Sequence, residues 1–383
     1  MAEGETPDNG IIAEIAKGVS AFLPTEWDAL NASGNPFVSH AFLTALEESG
    51  SVGAGTGWSP APIIIRDSDD AVAGALPAYL KTHSQGEYVF DHAWADAYER
   101  AGGRYYPKLI IAAPFSPVPG PRILANDKPT SLALLGAAES VVQQNGLSSA
   151  HANFVEESQL DLFHKAGWLI RSGTQFHWEN NGYTCFDDFM ASLASRKRRA
   201  IRKERAAAQA AVEIQIIRGA DIRPEHWDAF WIFYQDTGAR KWGTPYLSRS
   251  FFDLIAKSIS DDIVLFLAVR DGRPVAGALN LLGPDCLYGR YWGCCEDIPF
   301  LHFELCYYQA IDFAIAHGLA RVEAGAQGEH KLARGYLPVT TNSAHYIADP
   351  GFRSAVSDFL DRERRAVERE QEFLGELGPF KRG

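Results

Sequence analysis

The chain has 383 residues, 46% of them hydrophobic and 12% aromatic, which is long for one domain and ample for packed cores. Its net charge of −12, from 36 basic against 48 acidic residues, argues against a general nucleic-acid binder while leaving room for a local basic patch. No run approaches the about 18 apolar residues that cross a bilayer. Met1 to Gly10 is acidic and polar where a signal peptide is basic and then apolar. A cytoplasmic protein is expected, with peripheral contact to the inner membrane face left open. Cys185, Cys286, Cys294, Cys295 and Cys306 show no paired CxxC spacing, so neither a zinc site nor a disulfide frame is expected and no metal ligand is assigned.

A first helix is predicted near Pro24, with Trp27 and Leu30 on its apolar face, and a second from Ser39, a suitable N-cap, to Glu48. Pro62 to Arg66 and Ala71 to Leu80 read as two strands around an Asp-rich turn. This order then recurs. Pro24-x-x-Trp27-Asp28-Ala29-Leu30 returns as Pro224-x-x-Trp227-Asp228-Ala229-Phe230, and Val72-Ala73-Gly74-Ala75-Leu76 as Val275-Ala276-Gly277-Ala278-Leu279. Pro36-Phe37-Val38-Ser39 matches Pro245-Tyr246-Leu247-Ser248, and a helix ends in Gly-Leu at 146 and again at 318. Four matches in one order imply two structural copies. Helices over Ser131 to Asn145 and Phe303 to His317 each run through Gly-Leu into a strand, an α/β crossover. The fold class expected is α/β with mixed sheets. The first copy is longer by about 31 residues, mainly at 84–121, a stretch that carries His92, Trp94, Tyr105 and Lys108. A loop reaching towards substrate and a cover over the sheet fit that composition equally well.

Asp187 to Ala211 is predicted as one helix, with seven cations from Arg196 to Arg205, Arg198 and Arg202 among them. Arg forks suit phosphate, so a coenzyme A pyrophosphate, a lipid head group or a tRNA backbone is a candidate partner beside the plain solvated face. Tyr288 to Gly293 reads as a central strand whose Tyr288, Arg290 and Trp292 share one face. The richest chemistry lies in Glu323 to Pro338, where Glu323, Gln327, Glu329, His330, Lys331 and Arg334 crowd among Gly325, Gly328 and Gly335 at the end of a strand. His302-x-Glu304 opens the preceding helix. Glu323, His330, His302 and Glu329 are the candidate bases. Arg290, Trp292, Glu304, Gln327, Lys331 and Arg334 are candidate binding residues, together with the four in the insert and Arg198 and Arg202. Arg353 to Phe373 reads as a charged C-terminal helix without a catalytic role.

Several longer strings are similar to the FemAB-like predicted N-acyltransferases, a family also labelled peptidoglycan biosynthesis or recognition. They include Gly86-Glu87-Tyr88-Val89-Phe90-Asp91-His92-Ala93-Trp94, Tyr105-Tyr106-Pro107-Lys108-Leu109, Leu301-His302-Phe303-Glu304-Leu305-Cys306-Tyr307-Tyr308 and Gly325-Ala326-Gln327-Gly328-Glu329-His330-Lys331-x-x-Arg334-Gly335. The resemblance runs from about Phe22 to Phe359. It implies two tandem GNAT-like domains, taken as 11–180 with the insert 84–121, a linking basic helix and strand at 181–215, and 216–383. It implies acyl transfer to an amine, with Glu323 where GNAT folds present their acceptor. The donor implied is an acyl-CoA co-substrate, with no tightly bound cofactor, and the acceptor a small-molecule or lipid amine such as the sphingoid base of bacterial ceramide formation. Related Fem-type enzymes take aminoacyl groups from tRNA, which is the alternative, and a non-catalytic binding module is a third. Cys294 to Phe303, where GNAT enzymes carry the glycines that hold a pyrophosphate at a helix N-terminus, has none.

Overall fold

A computed structural model describes residues 12–241, 245–325 and 328–381. The first copy comprises β1 (Ala13–Ile15), α1 (Pro24–Asp28), α2 (His40–Glu48), β2 (Trp58–Pro60), β3 (Ile63–Arg66), β4 (Val72–Leu76), β5 (Ala78–Lys81), α3 (His92–Arg100), β6 (Lys108–Ile111), β7 (Leu124–Ala125), α4 (Lys128–Gln144), β8 (Ser149–Val155), α5 (Leu160–Lys165) and β9 (Leu169–Glu179). Ser39 caps α2 as expected, its side chain accepting from Phe42 N. The strand predicted over Ala71 to Leu80 breaks at Pro77, which has no N–H to give a ladder. β4 therefore joins a four-stranded sheet, β1-β3-β4-β7, and β5 joins the large one.

The predicted helix over Asp187 to Ala211 is two helices, α6 (Phe186–Ser192) and α7 (Ser195–Ala211), parted where Leu193 and Ala194 turn extended. The second copy follows as β10 (Glu213–Arg218), α8 (Pro224–Lys241), α9 (Arg249–Ser258), β11 (Ile263–Arg270), β12 (Arg273–Leu282), β13 (Cys286–Cys294), α10 (Leu301–Phe303), a π turn (Glu304–Tyr308), α11 (Gln309–Ala316), β14 (Arg321–Glu323), a 3-10 turn (Glu329–Arg334), β15 (Leu337–Ile347) and α12 (Pro350–Glu376).

The large sheet has eleven strands in the order β10-β11-β12-β13-β14-β9-β15-β8-β6-β5-β2. The copies exchange their last strands within it. β9 of the first copy pairs with β14, and β15 of the second pairs with β8, while β9 and β15 lie antiparallel between them. The division at 180 and 216 thus follows the chain, whereas the sheet runs through both halves. One apolar core is shared in the same way: Phe42 on α2 meets Phe251 on α9 edge-on at 5.7 Å, and Phe37 meets Tyr288 at 5.2 Å. Burying both copies' apolar helix faces against one another closes this shared core, beside a separate cluster under α4 in the first copy and another under α11 in the second.

The insert is mostly a cover. Trp94, Tyr105 and Lys108 are 4%, 0% and 0% exposed; the two aromatics lie under α12 with Val356 and Leu360, and the Lys108 ammonium sits beside the Tyr105 ring. Their assignment to a substrate surface is corrected: they form a closed core. His92 is exposed on α3, stacked beside Phe90.

Candidate active site

β13 and β14 run parallel but pair over only three residues, the last being Tyr288 with Glu323. β13 then continues to Cys294, while the chain after Glu323 turns away through Gly325. Parallel strands that part leave a wedge lined by backbone groups without ladder partners. A bulge widens it: Leu279 faces Tyr291 and Asn280 faces Gly289, so Arg290 has no opposite residue. A cavity of about 410 Å³ occupies the wedge, bordered by Asn280, Arg290, Trp292, His302, Cys306, Tyr307, Ala324, Gly328 and His330.

The helix beneath supplies the side chains. Its π turn swings Cys306 and Tyr307 to the cavity, a distortion that recurs at functional sites. The Tyr307 hydroxyl lies 2.8 Å from His330 Nε2, and the His302 ring is 5.2 Å from Trp292 and 6.0 Å from His330. Only glycine fits at 328: φ is +122°, and a Cβ would stand 2.5 Å from His330 Cε1. His302, His330, Arg290 and Trp292 are therefore brought together.

Other sequence candidates turn inward. Glu304 is fully buried and accepts from Arg205 Nη2 at 3.2 Å and from Gln209 and Gln309 at 2.8 Å each, tying α7 to the π turn. Lys331, 1% exposed, donates to the Gly325 carbonyl at 2.6 Å, and burial pushes its ammonium down to about 7. Arg334 stacks on Phe303 at 3.4 Å and bonds the His330 carbonyl and Glu204. These three build the site rather than face a ligand. Arg198 and Arg202 sit on α7 and do not line this cavity. Gln327 and the side chain of Glu329 lie outside the described residues.

Glu323 faces the opposite side of the sheet. There a polar cavity of about 910 Å³ is walled by both copies, with Asn35, Gly120 and Glu156 from the first and Asp285, Tyr288, Arg321, Glu323 and Thr340 from the second, beside His177 on β9. Glu323 is 4% exposed. Its Oε1 is 3.3 Å from Arg321 Nε, and its Oε2 has no hydrogen-bond partner and lies 3.9 Å from His177 Nε2. Burial lifts this carboxyl to about 7 against the pull of Arg321. Burial, with Arg321 and Lys331 nearby, pushes His177 down to about 3, so its ring is neutral at physiological pH. The neighbouring pairs Tyr288–Gly289 and Glu323–Ala324 line one cavity and the other, so the two back onto each other at the apex of the wedge.

The first copy has the same wedge between β6 and β8, and it is plugged. Arg122, 1% exposed, fills it and donates to the carbonyls of Asn153, Pro121 and Val118 at 2.6, 3.0 and 2.7 Å. The Pro-rich end of the insert reaches the second wedge instead. The Phe115 carbonyl accepts from Arg290 Nη2 at 2.6 Å, and its ring stacks on Tyr246 at 4.9 Å. Arg290→Ala is expected to lower the unfolding free energy by about 1.5–3 kcal/mol, the range for a hydrogen bond to a charged donor, read by urea denaturation. Sequence reading missed His177, Tyr307, Cys306 and Arg122. Of these only Arg122, a lone cation among prolines and apolar residues, carries a local hint.

The FemAB-like family model, described as peptidoglycan biosynthesis/recognition, matches residues 18–382. The chain belongs to this family. Among solved structures, FemX superposes on the FemAB-like chain with a TM-score of 0.55 at 14% identity, covering 88% of this chain and 98% of its own. A conserved protein from Bacteroides thetaiotaomicron VPI-5482 gives 0.50 at 9%, covering 87% and 99%. A tandem GNAT protein from the clavulanic acid biosynthesis pathway gives 0.46 at 12%, covering 89% and 99%. At these identities the likeness is one of fold. The FemAB-like chain folds as two tandem α/β units that share a mixed sheet. No curated sequence matches it. No described helix is long and apolar enough to cross a membrane.

Proposed function

We propose that this FemAB-like protein is an N-acyltransferase that moves an acyl group from a thioester to a primary amine. The observation that carries the reading is Glu323: a buried carboxyl with one unpartnered oxygen, poised near neutrality, where a cleft in the sheet meets a polar cavity. A base must take a proton from the incoming ammonium, and one with a pKa near 7 does so with least loss at neutral pH. In this reading the donor carbonyl lies in the wedge and the amine enters from the 910 Å³ cavity. Glu323 takes a proton from the ammonium, and the freed amine attacks the carbonyl carbon. Unpaired backbone at the Arg290 bulge meets the oxyanion. The C–S bond breaks, and the extra proton on the adduct's nitrogen passes through the Tyr307–His330 pair to the thiolate, leaving a neutral amide and a thiol.

A second donor is favoured by one feature. The loop that enters the helix under the wedge carries Glu296 and Asp297 and no glycine, a poor seat for a coenzyme A pyrophosphate. An aminoacyl ester of tRNA, the Fem-type donor, does not need that seat. The test is transfer to long-chain amine lipids, sphingoid bases included, and to amine-bearing peptidoglycan precursors, each with acetyl-CoA, long-chain acyl-CoA or charged tRNA. Turnover with a thioester supports the main reading, and turnover with charged tRNA alone replaces the donor. No amide from any pair sinks acyl transfer and leaves a binding module. His330→Ala is expected to lower kcat by about 10²-fold, the low end for a lost acid–base group, with KM for the amine little changed; steady-state kinetics decides.

A further inference from the structure

We infer that the N-terminal half of α7, with the end of α12, is a docking face for an anionic lipid bilayer. Arg196, Arg199, Arg202 and Lys203 are exposed, and Lys197 and Arg198 half-buried. Among the described residues none of the six forms an ion pair. Glu204, the one acid within the cluster, is engaged by Arg334 and Tyr308, and Arg205 by Glu304 and Asp312. The cations also crowd the wrong end of the helix. The first turn has no acidic residue and no side-chain cap, and a helix N-terminus disfavours positive charge. Neither helix stability nor internal pairing accounts for such a cluster on a chain of net charge −12. A surface of phosphates offsets both the mutual repulsion and the dipole.

Apolar side chains beside the cluster choose among phosphate surfaces. The chain after α12 returns along the start of α7: Ala194 N donates to Pro379 O at 2.9 Å and Lys381 N to Ser192 O at 3.0 Å. This sets Leu337, Phe373 and Leu377, which are 37%, 61% and 50% exposed, next to the cationic turn. A Cβ on Gly378 would touch Leu337 at 3.4 Å, and Phe373 and Leu377 share a helix face. Glu370, Glu372 and Glu376 flank those two on α12, so the phosphate plane is met by α7 and Lys381 while the apolar three enter the acyl boundary. Basic and apolar side chains on one face is the pattern of interfacial binding. Nucleic acid would satisfy the charges and has no use for two exposed leucines. The 3-10 turn bearing His330 packs on α7 through Arg334 and Glu204, so docking would hold the wedge close to the lipid surface.

The test is co-sedimentation of the full chain with phosphatidylcholine vesicles, with and without phosphatidylglycerol, at low and high salt. Binding that requires phosphatidylglycerol and weakens with salt is expected. The triple change Arg196→Glu, Arg199→Glu, Lys203→Glu should weaken it by at least about 100-fold, and Phe373→Ser by about 10-fold with the charges intact. All four positions are exposed, and unchanged circular dichroism shows that folding is not the cause. No binding to phosphatidylglycerol vesicles overturns the inference. So does equal binding with and without the anionic lipid, binding that survives the triple change, or charge-dependent capture of bulk RNA without capture of vesicles.

Discussion

Glu323→Gln is expected to leave the protein folded and to cut amide formation by about 10²–10⁴-fold, the usual worth of a positioned base. The pH profile is the sharper readout. Glu323 acts only when ionised, and burial raises its carboxyl from the ordinary 4.5 to about 7, so kcat/KM should climb with pH through about 7 and level above it. In the Gln variant that limb disappears. Stability moves the other way. A carboxyl whose folded pKa lies above its unfolded one favours the folded state while protonated, and that stability is lost as pH rises from about 4.5 to about 7. Above this window the native protein holds a charge on a buried side chain, at a cost of roughly 3 kcal/mol at 1.36 kcal/mol per pH unit. Glu323→Gln, neutral at every pH, should therefore be more stable than the parent at pH 8 and close to it at pH 4. Full activity in the variant removes Glu323 from the chemistry. A fall in melting temperature at pH 8 instead assigns the carboxylate to the Arg321 ion pair.

The two copies and their helices were legible because caps, apolar stripes and helix–Gly–strand junctions are local. The strand exchange was not. β9 meets β14 across more than a hundred residues, and nothing in Leu169 to Glu179 says which β-strand it will lie beside. His177 escaped for the same reason: its place beside Glu323 is made by that exchange. Glu323 stood out because its loop gathers more ionisable groups than packing requires. The same density misled at Lys331 and Arg334, and the His302-x-Glu304 pair misled at Glu304; their partners Gly325, Glu204 and Arg205 are apparent only once α7 and the glycine loop are folded. Insert 84–121 left both readings open, since aromatic and polar residues suit a buried hydrogen-bonded core as well as a ligand loop.

Lys108 shows how such a core declares itself. Fully buried at the start of β6, it donates to Glu87 Oε2 and Ser84 Oγ at 2.8 Å and pairs with Asp91. Its two carboxylates lie 21 and 17 positions upstream. These acids raise the Lys108 ammonium above its ordinary range although burial opposes them, and burial in turn pushes Glu87 up to about 7. The Tyr105 hydroxyl donates to Asp91 and leads on to His151, and through it to His345 on β15, so the network crosses the exchanged strands. Lys108→Ala strands two like charges in a core where the buried Lys81, which hydrogen-bonds neither of them, is the nearest cation left to offset them. At pH 8 it should cost about 3–5 kcal/mol, the cost of breaking a buried ion pair from one side. Without the ammonium both carboxyls titrate above their unfolded values, so the variant loses stability as pH rises and regains it as pH falls towards 5, where they can bind protons. Glu87→Gln leaves one acid facing one base and should stay within about 1 kcal/mol of the parent at pH 8, the usual scale when a buried network keeps its charge balance. Urea denaturation at pH 5 and pH 8 for the three proteins separates the alternatives. A gap between Lys108→Ala and the parent that widens with pH marks a structural ammonium. A variant that melts like the parent while KM for donor or acceptor rises would return Lys108 to the substrate surface that its sequence neighbourhood first suggested.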